Sequence, residues 1–199
     1  MARLEPLPSD ALAELEPLMA FVEQNMGFRP NSMATMARVP GLPQAFAQLT
    51  GVVWGSTGVD PALKALVAVM ASQAAGCRYC QAHTAHRAHE QFGVSAEKLA
   101  ALWRFEQSDW FDAPERAALR VAAASAQAPS AVDDMAMAEL RRHFDDSAVA
   151  ELVAVIALFG FLNRWNDTLA TELEDTPRAF AEEALAPVGW SPGAHEGAR

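Results

Sequence analysis

Apolar residues recur along this chain at helical spacing, and most of the runs are bracketed by residues that start or stop a helix. Leu12, Leu15, Met19 and Val22 fall on one stripe, which predicts an amphipathic helix over 11–26, capped by Ser9-Asp10 and stopped at Gly27. The turn Phe28-Arg29-Pro30-Asn31 opens a short helix through Met33, Met36 and Ala37, whose methionines read as adaptable core. Pro40 and Pro43 break the chain before an apolar helix over 44–53, which the Gly55 to Gly58 stretch closes.

Asp60 followed by Pro61 is an N-cap with proline at the first helical position. The helix it opens, 61–75, is apolar nearly all round and is predicted to lie at the centre of the fold. A second helix follows over 77–92 up to Gly93, and Ser95 caps another that runs to Trp103. Residues 104–113 are aromatic and acidic without a period and connect two halves. Helices are then predicted over 114–128, from Ser130 or Asp133 through Leu140 to Phe144, from the Asp145-Asp146 cap onward, and over 177–185. The stretch from Pro187 to the end holds Pro and Gly and reads as a loose tail. No segment alternates with period two, so the expectation is an all-α fold in a single domain over 1–199.

Composition sharpens this only at two points. Apolar residues make up 51% of the 199, enough for closely packed helices and a real core. The net charge of −10, with no basic cluster, excludes nucleic acid as a partner. The first ten residues carry Glu5, Pro6 and Pro8 rather than an export signal, and the apolar run 63–76 is too short to span a bilayer. These point to a cytoplasmic protein with no membrane partner.

The chemistry is concentrated in Gly76-Cys77-Arg78-Tyr79-Cys80-Gln81-Ala82-His83-Thr84, which holds both cysteines of the chain. On a helix, residues i and i+3 share a face with Cβ atoms about 5–6 Å apart, close to disulfide geometry. Gly76 suits a helix C-cap, which puts the cysteines in the first turn of the next helix, where free amides stabilise a thiolate. Two other readings stand beside the redox pair: half of a zinc site, or two buried core cysteines. A structural zinc wants a second ligand pair, and Cys77, Cys80, His83 and His86 on one helix drift by about 60° per step, so no metal is expected. Arg78, Gln81 and His83 interleave polar groups that a dry core would not hold.

Sliding the chain against itself by 86 residues superposes Asp60 on Asp146, Leu66-Val67-Ala68-Val69 on Leu152-Val153-Ala154-Val155, and Cys77-Arg78-Tyr79-Cys80 on Asn163-Arg164-Trp165-Asn166. Two copies of one helical hairpin are therefore predicted, one over 28–103 with thiols and one over 114–174 with amides. Asn163, Asn166 and Asp167 then start a helix, as caps and buried polar packing or as supporting site residues.

The CxxC, the helical pattern and the repeat together resemble the AhpD-like branch of the carboxymuconolactone decarboxylase superfamily, in its peroxidase-related group. The resemblance covers roughly 28–174 and rests on the CxxC stretch and on Phe159-Gly160-Phe161-Leu162-Asn163-Arg164-Trp165-Asn166-Asp167. It implies an all-α fold assembling into a homo-oligomer (dimer, trimer or hexamer) and a thiol peroxidase or disulfide reductase without a cofactor. In the family mechanism Cys80 attacks a hydroperoxide substrate, Cys77 resolves the sulfenic acid to a disulfide, and an external dithiol reduces it. Tyr79, between the cysteines, and Thr84, after them, are expected to support the pair.

Two family positions differ: the relay glutamate falls on Ala65 and the relay histidine on Thr84. His83 lies one residue away, about 100° round the helix. Glu151 holds in the second copy the place of Ala65 in the first, so it is expected either to reach the cysteines, through the pseudo-two-fold or across a subunit contact, and act with His83 as the base, or to pair with an arginine. His86 and His89 are expected to face solvent. Competing functions are a non-enzymatic redox sensor and lactone decarboxylation, although the latter needs no thiols.

Overall fold

Asp60 accepts hydrogen bonds from the amides of Ala62 and Leu63 at 2.8 and 3.3 Å, and the helix α4 (Pro61–Ala74) begins there. The structure, a computed structural model, describes residues 2–197. In chain order, α4 follows α1 (Glu16–Met26), α2 (Asn31–Met36) and α3 (Leu42–Gly55), and precedes α5 (Arg78–Phe92), α6 (Ala96–Ala100) and α7 (Ala113–Ser125). Then come α8 (Asp134–His143), α9 (Asp146–Leu169) and α10 (Asp175–Ala184). No strand occurs among the described residues.

The all-round apolar α4 is central, as its pattern predicts. Every residue from Leu63 to Ser72 is buried, and the helix packs against α5, α7 and α9. Its Leu66, Val67 and Met70 share a core with Leu119, Leu140, Leu152 and Val155; a fully buried side chain of this size contributes roughly 1.5–3 kcal/mol. A second, smaller cluster holds Leu12, Met19, Met33 and Ala34 from the N-terminal segment.

Three differences from the sequence reading matter for the site. First, 11–26 is not one helix. Residues Ser9–Leu15 are 3-10 and the α-helix begins at Glu16, because Pro17 lacks an amide hydrogen and fits only the first turn. Second, the two predicted hairpins are not alike. α4 and α5 are separated by Gly76, at φ +81°, whereas the matching position is Leu162 and α9 runs unbroken through 24 residues. Leucine has no access to the left-handed region that makes the break, so Asn163, Asn166 and Asp167 lie in the last third of a helix, not at its start. Third, the described part of the tail is packed: Trp190 and His195 are buried, and the Trp190 indole donates to the Arg78 carbonyl at 3.2 Å. α9 is long and apolar enough by composition to cross a membrane, yet its Leu152, Val155, Ile156, Leu158 and Phe159 are buried in the helical core.

Candidate active site

The break at Gly76 builds the site. The Gly76 amide bonds back to the Gln73 carbonyl and the Cys77 amide to the Ser72 carbonyl, both at 3.1 Å, the paired pattern of a Schellman stop. Cys77 thereby becomes the N-cap of α5, and its Sγ accepts from the Cys80 amide at 3.4 Å. Both cysteines are free and buried. They differ in outlook: Cys80 lines a cavity of about 290 Å³, and Cys77 does not.

That cavity lies between the two apolar clusters. Phe21, Met26, Met33, Phe46, Trp54 and Phe159 give it aromatic and aliphatic walls. Arg87 also lines it, with its guanidinium 4.0 Å over the Trp54 ring, and burial lowers its pKa to about 10.

On the cavity side of the cysteines stands an acid-base set. His83 lines the cavity with Cys80, stacks on Tyr79 with ring centroids 4.1 Å apart, and places Nε2 2.5 Å from Glu174 Oε2. Glu174 Oε1 accepts from the Tyr79 hydroxyl at 2.9 Å and from the Asn31 amide at 2.5 Å. Burial pushes the Glu174 carboxyl up, but the adjacent His83 and the backbone amides, Asn31's among them, outweigh it and hold it below the ordinary 4.5. Burial and the Glu174 charge keep Tyr79 protonated, with its pKa well above 10. Ala170, in the left-handed region at φ 48°, ends α9 and turns the chain back so that Glu174 arrives here.

Behind Cys77 stands a second set. Cys77 Sγ, an Asp167 carboxylate oxygen and a His195 ring nitrogen lie within 4.8 Å of one another. His195 Nε2 is 3.1 Å from Asp167 Oδ1, and Nδ1 is 2.8 Å from the Thr171 carbonyl. Burial lowers the His195 pKa, yet Asp167, Cys77 and the Thr171 carbonyl together raise it to about 9. Cys77 is pushed far above the usual thiol range by its hydrogen bond to Cys80 and by burial. Three donors are one short of a closed structural zinc site, and both His195 ring nitrogens are already engaged, by Asp167 and the Thr171 carbonyl.

The structure brings Cys77, Cys80, Tyr79, His83, Thr84, Asn166 and Asp167 together. Asn166 Nδ2 donates to Cys80 Sγ at 3.5 Å, and its Oδ1 is buried without a partner. Asn163 turns the other way, toward the Ala71 carbonyl at 3.4 Å. Thr84 sends its hydroxyl back to the Cys80 carbonyl at 2.7 Å and supplies no base. His86 and His89 are half-buried rather than solvent-facing, packed on Phe180 at 5.9 and 5.1 Å.

Glu151 is not at the cysteines of its own chain, nor on an arginine. It pairs with the buried Lys64 ammonium and accepts from Ser56 Oγ at 2.5 Å and the Gly58 amide at 3.0 Å. Fifteen residues of α9 separate it from Asn166, about 22 Å at about 1.5 Å per residue. Lys64 is fully buried, and a buried ammonium without a carboxylate is costly, which decides where Glu151 goes. The sequence reading missed Glu174 and His195, which arrive only through the turn after α9 and the packed tail.

An all-helical dithiol protein with one sulfur on an apolar cavity and the other backed by its own histidine is the class these features define. Residues 40–124 match the carboxymuconolactone decarboxylase family, and the chain belongs to that family, with the AhpD-like fold. The crystal structure of apo debrominase Bmp8 matches with TM-score 0.83 and 37% identity, over 90% of this chain and 96% of that one. A Cys-to-Ala variant of the same debrominase, in complex with 2,3,4-tribromopyrrole, matches with TM-score 0.84. A peroxidase-related protein from Ralstonia eutropha JMP134 matches with TM-score 0.75 and 22% identity, over 90% and 95% of the two chains, and shows the fold alone. The uncharacterized protein YnjA of Escherichia coli K12 is 35% identical over 111 residues, 56% of this chain and 60% of that protein.

Proposed function

We propose that the protein is a thiol-dependent reductase of peroxidase type, acting on apolar organic hydroperoxides through a Cys77/Cys80 dithiol-disulfide cycle. The observation that carries this reading is the division between the sulfurs: Cys80 faces an apolar cavity beside His83, and Cys77 is one cap bond behind it. Cys80 attacks as thiolate on the outer oxygen of the hydroperoxide; the S–O bond forms, the O–O bond breaks, and the alkoxide takes a proton from His83. Glu174 holds the His83 ring in place through Nε2, and Asn166 donates to the Cys80 sulfur. Cys77 then displaces the sulfenic oxygen as water, giving the disulfide, and an external dithiol restores both thiols. A reducing compartment such as the cytoplasm supplies that dithiol.

A cavity of this size serves a substrate rather than a sensor, and it favours an organic hydroperoxide over hydrogen peroxide. Arg87 on its walls favours substrates with an acidic end. The aromatic walls and the 37%-identical debrominase support a second reading on the same sulfurs: the Cys80 thiolate takes the halogen from an aromatic carbon, which gains a proton in its place, and Cys77 then displaces halide from the sulfenyl halide to close the disulfide. Turnover with excess dithiothreitol on cumene hydroperoxide, hydrogen peroxide and bromopyrrole separates the readings. Saturation with cumene hydroperoxide supports the first, saturation with bromopyrrole alone replaces it with the second, and no saturation with any of them rejects both.

A further inference from the structure

We infer that His195, held by Asp167 against Cys77, is a catalytic residue of the second half-reaction, activating Cys77 as the resolving thiolate once Cys80 has reacted. This rests on the assignment of Cys80 as the attacking sulfur. The charged and titratable groups around Cys77 are Cys80 of its own motif, Asp167 of α9 and His195 of the C-terminal segment. Tyr79 lies against His195 with ring centroids 5.8 Å apart.

Both ring nitrogens of His195 face acceptors, the Thr171 carbonyl and the Asp167 carboxylate. Two acceptors call for two N–H donors, so the ring is imidazolium at neutral pH, in line with its pKa of about 9. While Cys80 is a thiolate, its charge and hydrogen bond keep the proton on Cys77. Attack on substrate removes that charge. Burial and Asp167 still oppose ionisation of Cys77, and the group left that favours its thiolate is the His195 cation. Asp167, with its side chain 42% exposed, gives the departing proton a path to water. The order of the two steps is thus written into the charges: Cys77 stays inert until Cys80 is spent.

Reaction of the reduced protein with 2,2′-dithiodipyridine tests this without any assumption about the natural substrate. Cys80 attack releases one thiopyridone and leaves a Cys80–pyridyl disulfide; Cys77 thiolate then forms the S–S bond to Cys80 and releases the second. His195→Gln and the milder Asp167→Asn are expected to slow the second release at pH 7 by about tenfold or more, the scale of a lost charged hydrogen bond. The first release should be unchanged, and the second rate should recover as pH is raised toward the ordinary thiol range. A second phase unchanged in both variants overturns the role of His195, as does equal slowing of both phases without recovery at high pH. The assignment of Cys80 fails separately, if Cys80→Ser keeps the first release.

Discussion

The two sulfurs of one helical turn live in different surroundings. Cys80 looks into a cavity and has beside it an amide donor, Asn166, and the Tyr79–His83–Glu174 set. Cys77 does not line that cavity; it is fully buried, with Asp167 and His195 as its neighbours. Each sulfur has its own histidine and each histidine its own carboxylate, contributed by different elements. Sequence neighbours three apart have thus been given separate proton chemistry, one set open to substrate and one not. That division makes a CxxC directional, with one sulfur to attack and one to resolve.

The comparison breaks most completely at the sulfurs themselves. Cys80→Ser is expected to abolish turnover, whereas Cys77→Ser should still consume one equivalent of hydroperoxide and stop as a sulfenic acid; thiol counting and mass spectrometry distinguish the two. Glu174→Gln leaves His83 without its counter-charge, and the loss of an acid-base group is worth about 10²-fold or more in kcat, read as a fall in kcat with the pyridyl second phase intact.

Stability separates the sets from the distant ion pair. Glu151→Ala strands the fully buried Lys64 ammonium, a loss of about 3–5 kcal/mol for a broken buried pair. Denaturant unfolding should show it, while the rate of thiol oxidation in the folded protein stays unchanged. A drop in that rate at constant folded fraction would return Glu151 to the cysteines.

The pH dependence differs between the two histidine-carboxylate sets. Glu174 has its carboxyl held below the ordinary 4.5, so it contributes stability above that pH and loses it as pH falls through the lower folded value. His195 is raised from 6.5 to about 9, so its contribution is complete below 6.5 and is lost as pH rises through about 9. Melting temperature against pH should fall on both flanks, with Glu174→Gln flattening the acid limb and His195→Gln the alkaline one. The smallest expected effect is at Asn166→Ala, where loss of a weak donor to sulfur slows the first attack by about fivefold, in the range of one neutral hydrogen bond.

Much of the frame was legible. Asp60-Pro61, Gly76, Gly93, Ser95 and Asp133 sit at helix boundaries because capping is a local matter between a side chain and the amides of the next turn. The all-round apolar pattern of 61–75 marked the central helix for the same reason that any buried helix must be apolar. The CxxC stretch placed Cys77, Cys80, Tyr79 and His83 together, since they share one helix. Glu174 and His195 were not legible, because no periodicity links a loop carboxylate or a tail histidine to a helix more than 90 residues upstream. Glu151 misled because the repeat equates positions, not surroundings: the copy lost its Gly76 equivalent, stayed straight, and sent that carboxylate to Lys64, a cation the pattern had hidden inside an apolar helix.

The most direct test of the division between the sulfurs is to add one equivalent of cumene hydroperoxide to Cys77→Ser and to Cys80→Ser in the presence of dimedone, and to map the adduct by peptide mass spectrometry. Rapid trapping on Cys80 is expected in the first variant, and a rate on Cys77 in the second no greater than that of a free thiol. Equal trapping on both, or preferential trapping on Cys77, would contradict that division.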